Sequence, residues 1–368
     1  GSDWSSDVCS SDLGHSLGGP FYYIEQGMGA KWKWLAKIFA FFGVCVGLFG
    51  IGTFSQVNGI SSAVNNFFDP KNQHTVKVLP FLGEYSWSVV IASLVLAFCV
   101  AAVLIGGVKR IASVSQIIVP FMAVIYIVFV LVLVVCNITA VPAAFATIVK
   151  AAFSPKAITG GAVGSFLVAM QKGVARGIFS NEAGLGSAPI AAAAAQTKEP
   201  VRQGLVSMTG TFIDTIVICT LTGLSIVLTG AWQVDGLEGV QVTTYAFQNG
   251  LPLPKELSAF VLMLCLVFFA FTTILGWDYY SERCLEYLSG GRMKYVKVYR
   301  WIYILAVFIG PYMTVSAVWT IADIFNGLMA LPNMIALFAL SGVVVKETRH
   351  FFERHRNRSE ERRVGKEC

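Results

Sequence analysis

A chain of 368 residues is long enough for two or three soluble domains, but 55% of its residues are hydrophobic, 13% are charged, and its mean hydropathy is +0.67. Soluble domains carry about 25% charged residues, so this composition excludes a water-soluble globular protein and points to an integral membrane chain. The net charge of +6 does not mark a nucleic-acid binder, because Lys and Arg lie between apolar runs instead of gathering on one face.

The two ends differ in character from what they flank. Residues 1–13, with Asp3-Trp4-Ser5-Ser6-Asp7-Val8-Cys9-Ser10-Ser11-Asp12, and residues 358–368, from Arg358 to Cys368, resemble translated sequencing adapters. They are set aside as non-native, and 14–357 is read as a single transmembrane domain truncated at both ends. Cys45, Cys99, Cys136, Cys219 and Cys265 sit in apolar runs and Cys284 follows one; with no C-x-x-C pair, neither a metal knot nor a disulfide framework is expected.

A helix needs about 20 apolar residues to cross a hydrocarbon core of ~30 Å. In chain order, spans are predicted at 35–61, 86–107, 111–137, 160–196, 204–230, 257–281, 298–315 and 316–346, giving about eight crossings and an all-α polytopic fold. Pro332 divides the last of these, which reads either as one broken crossing or as a re-entrant piece plus a crossing. Lys31, Lys33 and Lys37 precede the first span, and Lys109 and Arg110 fill the second connection. Lys198 and Arg202 follow the fourth span, Arg283, Arg292, Lys294, Lys297 and Arg300 the sixth, and Lys346, Arg349, Arg354 and Arg356 the last. With alternating spans these fall on one side, which the positive-inside rule makes cytoplasmic. The expected location is a bacterial inner membrane, with both chain ends in the cytoplasm.

The stretch 160–196 is too long for one plain helix and too polar in its middle. Arg176-Gly177-Ile178-Phe179-Ser180-Asn181-Glu182-Ala183-Gly184-Leu185-Gly186-Ser187-Ala188-Pro189 sets Arg, Asn and Glu at bilayer depth, where such groups are costly unless paired or facing a cavity. Gly177, Gly184 and Gly186 permit unusual backbone angles and Pro189 lacks an amide donor. The spacing predicts a discontinuous helix whose broken middle offers carbonyls to a cation and N–H groups to a carboxylate. The alternative is a cytoplasmic bend at 176–188 before a short helix. A glycine cradle for a cofactor is not expected, since no strand precedes it.

Other polar groups inside apolar runs suggest a solute path. Gln56 and Asn58 end the first span, as cavity groups or as interhelical hydrogen-bond donors. Thr272 and Thr273 lie in the sixth span, where their hydroxyls either offer hard oxygen to sodium or bond back to their own helix. Trp277, one turn after Thr273, either shares a lumen with it or anchors at the interface. Asp214 is a further intramembrane acid, suited to pairing or to a proton role.

Four segments then carry a specific likeness. Gly18-Gly19-Pro20-Phe21-Tyr22-Tyr23-Ile24-Glu25, the segment from Arg176 to Pro189, Thr273-Ile274-Leu275-Gly276-Trp277, and Ala330-Leu331-Pro332-Asn333-Met334-Ile335-Ala336-Leu337 resemble the alanine-or-glycine:cation symporter family, over about Gly18 to Phe352. The resemblance implies a five-plus-five inverted-repeat core of the amino acid–polyamine–organocation type, with core helices three to ten present and helices one and two missing. Part of the carboxylate pocket and of the sodium site would go with the missing helices, so the chain alone is expected to be inactive. By motif match, Thr272 and Thr273 are implied as sodium ligands, Trp277 and Phe179 as aromatic walls, and Gln56 as a polar group near the substrate. Ser180, Asn181 and Gly184 are implied at the unwound segment, as contacts or as braces.

The resulting expectation is sodium-coupled symport of alanine or glycine, with sodium as coupling ion, no resident cofactor, and the lipid bilayer, a small neutral amino acid and sodium as partners. The rival expectations are a proton- or other cation-coupled carrier of a different small amine and, in another class, an ion channel, though no selectivity-filter repeat is visible. An enzyme is not expected: H-E-x-x-H and G-x-S-x-G are absent and all four histidines lie outside the spans.

Overall fold

The computed structural model describes residues 18–77, 83–152, 162–195, 197 and 199–367. The segment read as foreign at residues 1–13 lies outside them. After a short turn at Pro20–Tyr22 and a π-helical turn at Tyr23–Gly27, the first predicted span divides in two: α1, Lys33–Phe49, and α2, Phe54–Phe68. This corrects the expectation of one continuous helix over 35–61. The break at 50–53 contains Gly50 and Gly52, which weaken a helix interior, and side chains supply donors to carbonyls it frees. Thr53 Oγ1 donates to Leu48 O, Gln56 Nε2 to Ile51 O at 3.1 Å, and the Tyr303 hydroxyl to Gly52 O at 3.2 Å. Irregular backbone at membrane depth persists only when satisfied in this way.

Beyond α2 the chain forms a small antiparallel hairpin, β1 (Thr75–Lys77) and β2 (Glu84–Ser86), in the register Thr75↔Ser86. Asp69 ties the hairpin to the end of α2. Its carboxylate accepts from Ser86 Oγ at 2.7 Å and from the Gln73 amide at 2.9 Å. The Ser86 hydroxyl above all, then the Gln73 amide, holds the Asp69 carboxyl below the ordinary aspartate range. A lowered folded value means its stabilisation is complete above the unfolded pKa of about 3.9 and is lost as pH falls through the folded one. Protection of the Gln73 amide from hydrogen exchange is therefore expected to fall below about pH 4. In Asp69→Asn that acid step disappears; a step of equal size in the variant would refute the linkage.

Two long helices follow, α3 (Trp87–Leu104) and α4 (Gly107–Cys136), then α5 (Val141–Ala152). The fourth predicted span appears as α6, Ala162–Asn181, a loop over 182–187, and a five-residue α7, Ala188–Ala192. The fifth is α8, Pro200–Phe212, running through a π-helical turn at Ile213–Cys219 into α9, Thr220–Leu228. After α10 (Val240–Gly250) come α11 (Lys255–Leu288), α12 (Met293–Ile309), α13 (Val315–Ala339) and α14 (Ser341–Glu367).

Among the described residues, six stretches are long and apolar enough to cross a membrane: α1 with α2, α3, α4, α8 with α9, α11 and α13. The other two of the eight predicted spans fall short for visible reasons. Helix α6 carries Gln171, Lys172 and Arg176, and α12 has only 17 residues. The expected break at Pro332 does not occur: α13 continues through it as one crossing.

Helix α11 is the centre of the bundle and packs on α1, α2, α4, α10 and α12. Small residues let α1 lie close against it, with α11 side chains seated on its glycines. A Cβ added at Gly43 would stand 2.5 Å from Cys284 Sγ, and one at Gly47 2.5 Å from Ser281 Oγ. Such small-residue contacts are how helices hold together in lipid, where lipid tails remove the hydrophobic drive.

Candidate functional site

The chain leaves helix over 182–187, an interruption common to both readings of 160–196. Glu182 (φ +52°), Gly184 (+76°) and Gly186 (+81°) all take left-handed backbone, which a continuing helix cannot contain. Glu182 is a non-glycine residue held there against its preference, and its side chain accounts for the hold. Its carboxylate accepts from Ser187 Oγ across the loop and from the indole N–H of Trp277 at 2.9 Å. On the opposite side, Asn333 Nδ2 of α13 donates to Gly184 O at 2.8 Å, and the Tyr23 hydroxyl donates in turn to Asn333 Oδ1. Helices α11 and α13 thus clamp the loop at two points, and the N-terminal turn steadies the second through Asn333.

Trp277 is 1% exposed, buried in the bundle and not an interfacial anchor. It also joins this loop to the break between α1 and α2. A Cβ on Gly52 would stand 2.8 Å from Trp277 Cβ, so the irregular backbone at 50–53 lies directly on α11 at that residue. Two interruptions of helix meet at one tryptophan, one at its Cβ and one at its indole N–H.

On the N-terminal side of the loop, α6 is tied to its neighbours by polar pairs. Ser180 Oγ donates to Asp214 Oδ2 at 2.6 Å, and Thr215 Oγ1 to Asn181 Oδ1 at 2.8 Å, both within the π-helical turn. Asp214 is therefore a paired acid, and Ser180 and Asn181 act here as braces. One turn earlier Arg176 pairs with Asp323 of α13, its guanidinium 4.2 Å from the Trp319 ring centre and 5.5 Å from that of Phe179. The Phe179 and Trp319 rings lie 4.8 Å apart, which makes Phe179 part of an aromatic platform under an ion pair.

The hydroxyls of Thr272 and Thr273 both donate to Phe269 O, at 2.9 and 3.0 Å. Their protons go to their own helix and their lone pairs face outward. Gln56 caps the 50–53 break through Ile51 O. On the far side of the N-terminal turn, Glu25 accepts from the Tyr287 hydroxyl and pairs with Lys33 at 2.8 Å. The Lys33 ammonium first and the Tyr287 hydroxyl second hold the Glu25 carboxyl below its usual range.

Sequence reasoning missed the second interruption, and with it the role of Tyr303 at Gly52. The signal was present as Gly50-Ile51-Gly52-Thr53, two helix-weakening residues one apart in mid-span. Tyr23 and Asn333 lie inside segments noted for their family likeness but carried no assigned role. Nothing in the sequence marks Trp319 and Asp323 as partners of residues more than 140 positions away.

Six stretches of membrane length, one of them broken at 50–53, and a loop at 182–187 held by charged and amide side chains beside Trp277 fit a multi-pass membrane transport protein, not an enzyme. The chain belongs to the sodium:alanine symporter family, whose model matches residues 10–365. It is 52% identical over 342 residues to an uncharacterized transporter of Haemophilus influenzae, covering 93% of this chain and 70% of that one. It is 44% identical over 353 residues to the sodium/alanine symporter AgcS of Methanococcus maripaludis, covering 94% of this chain and 72% of that one. The amino-acid carrier protein AlsT of Bacillus subtilis is 37% identical over 329 residues, covering 89% of this chain and 64% of that one. The family match enters both end segments set aside above and lends no support to reading them as foreign or the chain as truncated.

Proposed function

We propose that the protein moves a small neutral amino acid, alanine or glycine, together with sodium, by alternating access. The observation that carries this reading is the opened backbone at 182–187, clamped by Trp277 and Asn333. Such a loop presents main-chain dipoles to a zwitterion without the cost of unravelling a helix on each cycle. The lone pairs of Thr272 and Thr273 supply hard oxygen for sodium, one turn from Trp277. Phe179 and Trp277 crowd the side-chain space, where one extra methylene is worth ~1–3 kcal/mol of discrimination. The sodium gradient drives the cycle, with the membrane potential contributing about 2.3 kcal/mol per charge per 100 mV. The basic connections face the cytoplasm, and with them both chain ends, in a cell membrane.

The test is radiolabelled uptake into proteoliposomes with sodium present or replaced by choline. Alanine or glycine uptake that requires sodium is the expected result; uptake indifferent to sodium, or selective for a larger amino acid, overturns the reading. In the same assay Thr273→Ala is expected to raise the half-saturating sodium concentration about tenfold, as loss of one ligand worth ~1.4 kcal/mol would do. An unchanged sodium curve removes Thr273 from the ion site.

A further inference from the structure

One buried acid in the bundle has no partner. Asp278 follows Trp277 on α11, is fully buried, and neither of its carboxylate oxygens has a hydrogen-bond partner. The charges nearest it are Glu282 and Arg283 on its own helix and Arg300 on α12. Apart from the buried Nε of Arg283, which also lacks a hydrogen-bond partner, these groups pair among themselves. Arg300 forks onto Glu282, Nε at 2.7 Å and Nη2 at 2.9 Å, and Arg283 meets Glu286 at 2.5 Å. Two guanidinium groups answer two carboxylates, and the third carboxylate, Asp278, is left over. A lone buried carboxylate is far too costly to stand uncompensated.

The neighbouring hydroxyls cannot serve it. Tyr303 donates to Ile274 O at 2.7 Å and to Gly52 O at 3.2 Å. Ser281 donates to Trp277 O at 2.6 Å, and Tyr299 to Val44 O at 3.3 Å. With their single protons turned to the main chain, these groups offer Asp278 only oxygen lone pairs. The face of α1 packed here is Gly43 and Gly47, which bring no charge and no donor. A carboxylate among hydroxyl oxygens, short of one positive charge, matches the ligand chemistry of a hard monovalent cation.

We propose that Asp278 is the anionic ligand of an alkali-cation site between α11, α12 and the 50–53 break, separate from Thr272 and Thr273. The site is independent of which amino acid is carried. Occupation would place a positive charge beside Tyr303, the residue that caps the break at Gly52, so the ion would steady that interruption from behind.

The experiment is thermal unfolding of the full chain in detergent, without amino acid, in NaCl against choline chloride at equal ionic strength. Sodium is expected to raise the parent's midpoint by about 2 °C at saturating concentration. Asp278→Asn, which keeps the side chain's size, is expected to lose most of that rise or to need at least tenfold more sodium for it. Should Asp278→Asn fail to fold, Asp278→Glu is expected to keep a sodium-dependent rise with its half-saturation moved at least threefold. A sodium titration identical to the parent's in whichever variant folds overturns the proposal. So does a midpoint in the parent that ignores sodium yet follows pH between 5 and 8, which would assign a proton to Asp278. Because no transport is measured, failure here and failure of the symport reading are separate results.

Discussion

Glu182→Ala is expected to lower sodium-driven amino-acid uptake by roughly 30- to 150-fold, while the protein still folds and inserts. The carboxylate is the one group that holds the loop from within, through Ser187, and from outside, through the Trp277 indole. A hydrogen bond to a charged group contributes about 1.5–3 kcal/mol, and a buried indole N–H left without an acceptor costs about 1–3 kcal/mol. A loss of 2–3 kcal/mol in the competent loop geometry corresponds to roughly 30- to 150-fold. Glu182→Gln keeps an acceptor for the indole but gives up the charge, so an intermediate loss of about tenfold is expected. Uptake in Glu182→Ala within twofold of the parent would show that the clamp at Trp277 is incidental to transport.

Gly186→Ala is expected to be the most destabilising single change in the loop. Its φ of +81° costs an L-residue about 1–2 kcal/mol. The added methyl would also lie 2.6 Å from Pro20 Cγ and 3.0 Å from both Asn333 Cγ and Phe39 Cε2. Pro20 is a ring with no rotamer to yield, and overpacking of this kind costs about 1–3 kcal/mol more. A summed loss near 3 kcal/mol predicts a midpoint drop of roughly 5–10 °C in detergent, with poor recovery of folded protein. Gly184→Ala is the control. It shares a positive φ, +76°, but its methyl would meet only the flexible Met334, at 3.2 Å from Sδ. Its effect is expected to be less than half as large, and equal effects at the two positions would mean that backbone strain alone decides.

The parts of this structure legible in the sequence are those set by local composition. The density of apolar residues locates the crossings, and Gly184-Leu185-Gly186 between Glu182 and Ser187 locates the loop, because both are decided within about twenty residues. The clamp is decided elsewhere. Trp277 and Asn333 stand 95 and 149 positions from their loop partners, and no periodicity links them. Composition also misjudges helix continuity in both directions. Pro332 suggests an interruption where α13 runs through, since neighbouring helices support it. Gly50 and Gly52 sit in a plainly apolar run where the chain does break, and Tyr303, 251 residues after Gly52, donates to the freed carbonyl. Thr272 and Thr273 share one helix with Trp277, yet which way their protons turn is a property of the folded helix.

The contact of α1 on α11 through Gly43 and Gly47 has a mechanical consequence. With the Cys284 and Ser281 side chains seated directly on Gly43 and Gly47, these two helices have little compliant space between them and are expected to travel as one beam. Displacement during a cycle then has to be absorbed by the looser pieces. Helix α8 buries no residue, and the π-helical turn that follows it is joined to α6 through the Ser180–Asp214 and Asn181–Thr215 pairs. A rigid spine on one flank and a lightly pinned panel on the other give the molecule a built-in direction in which to yield.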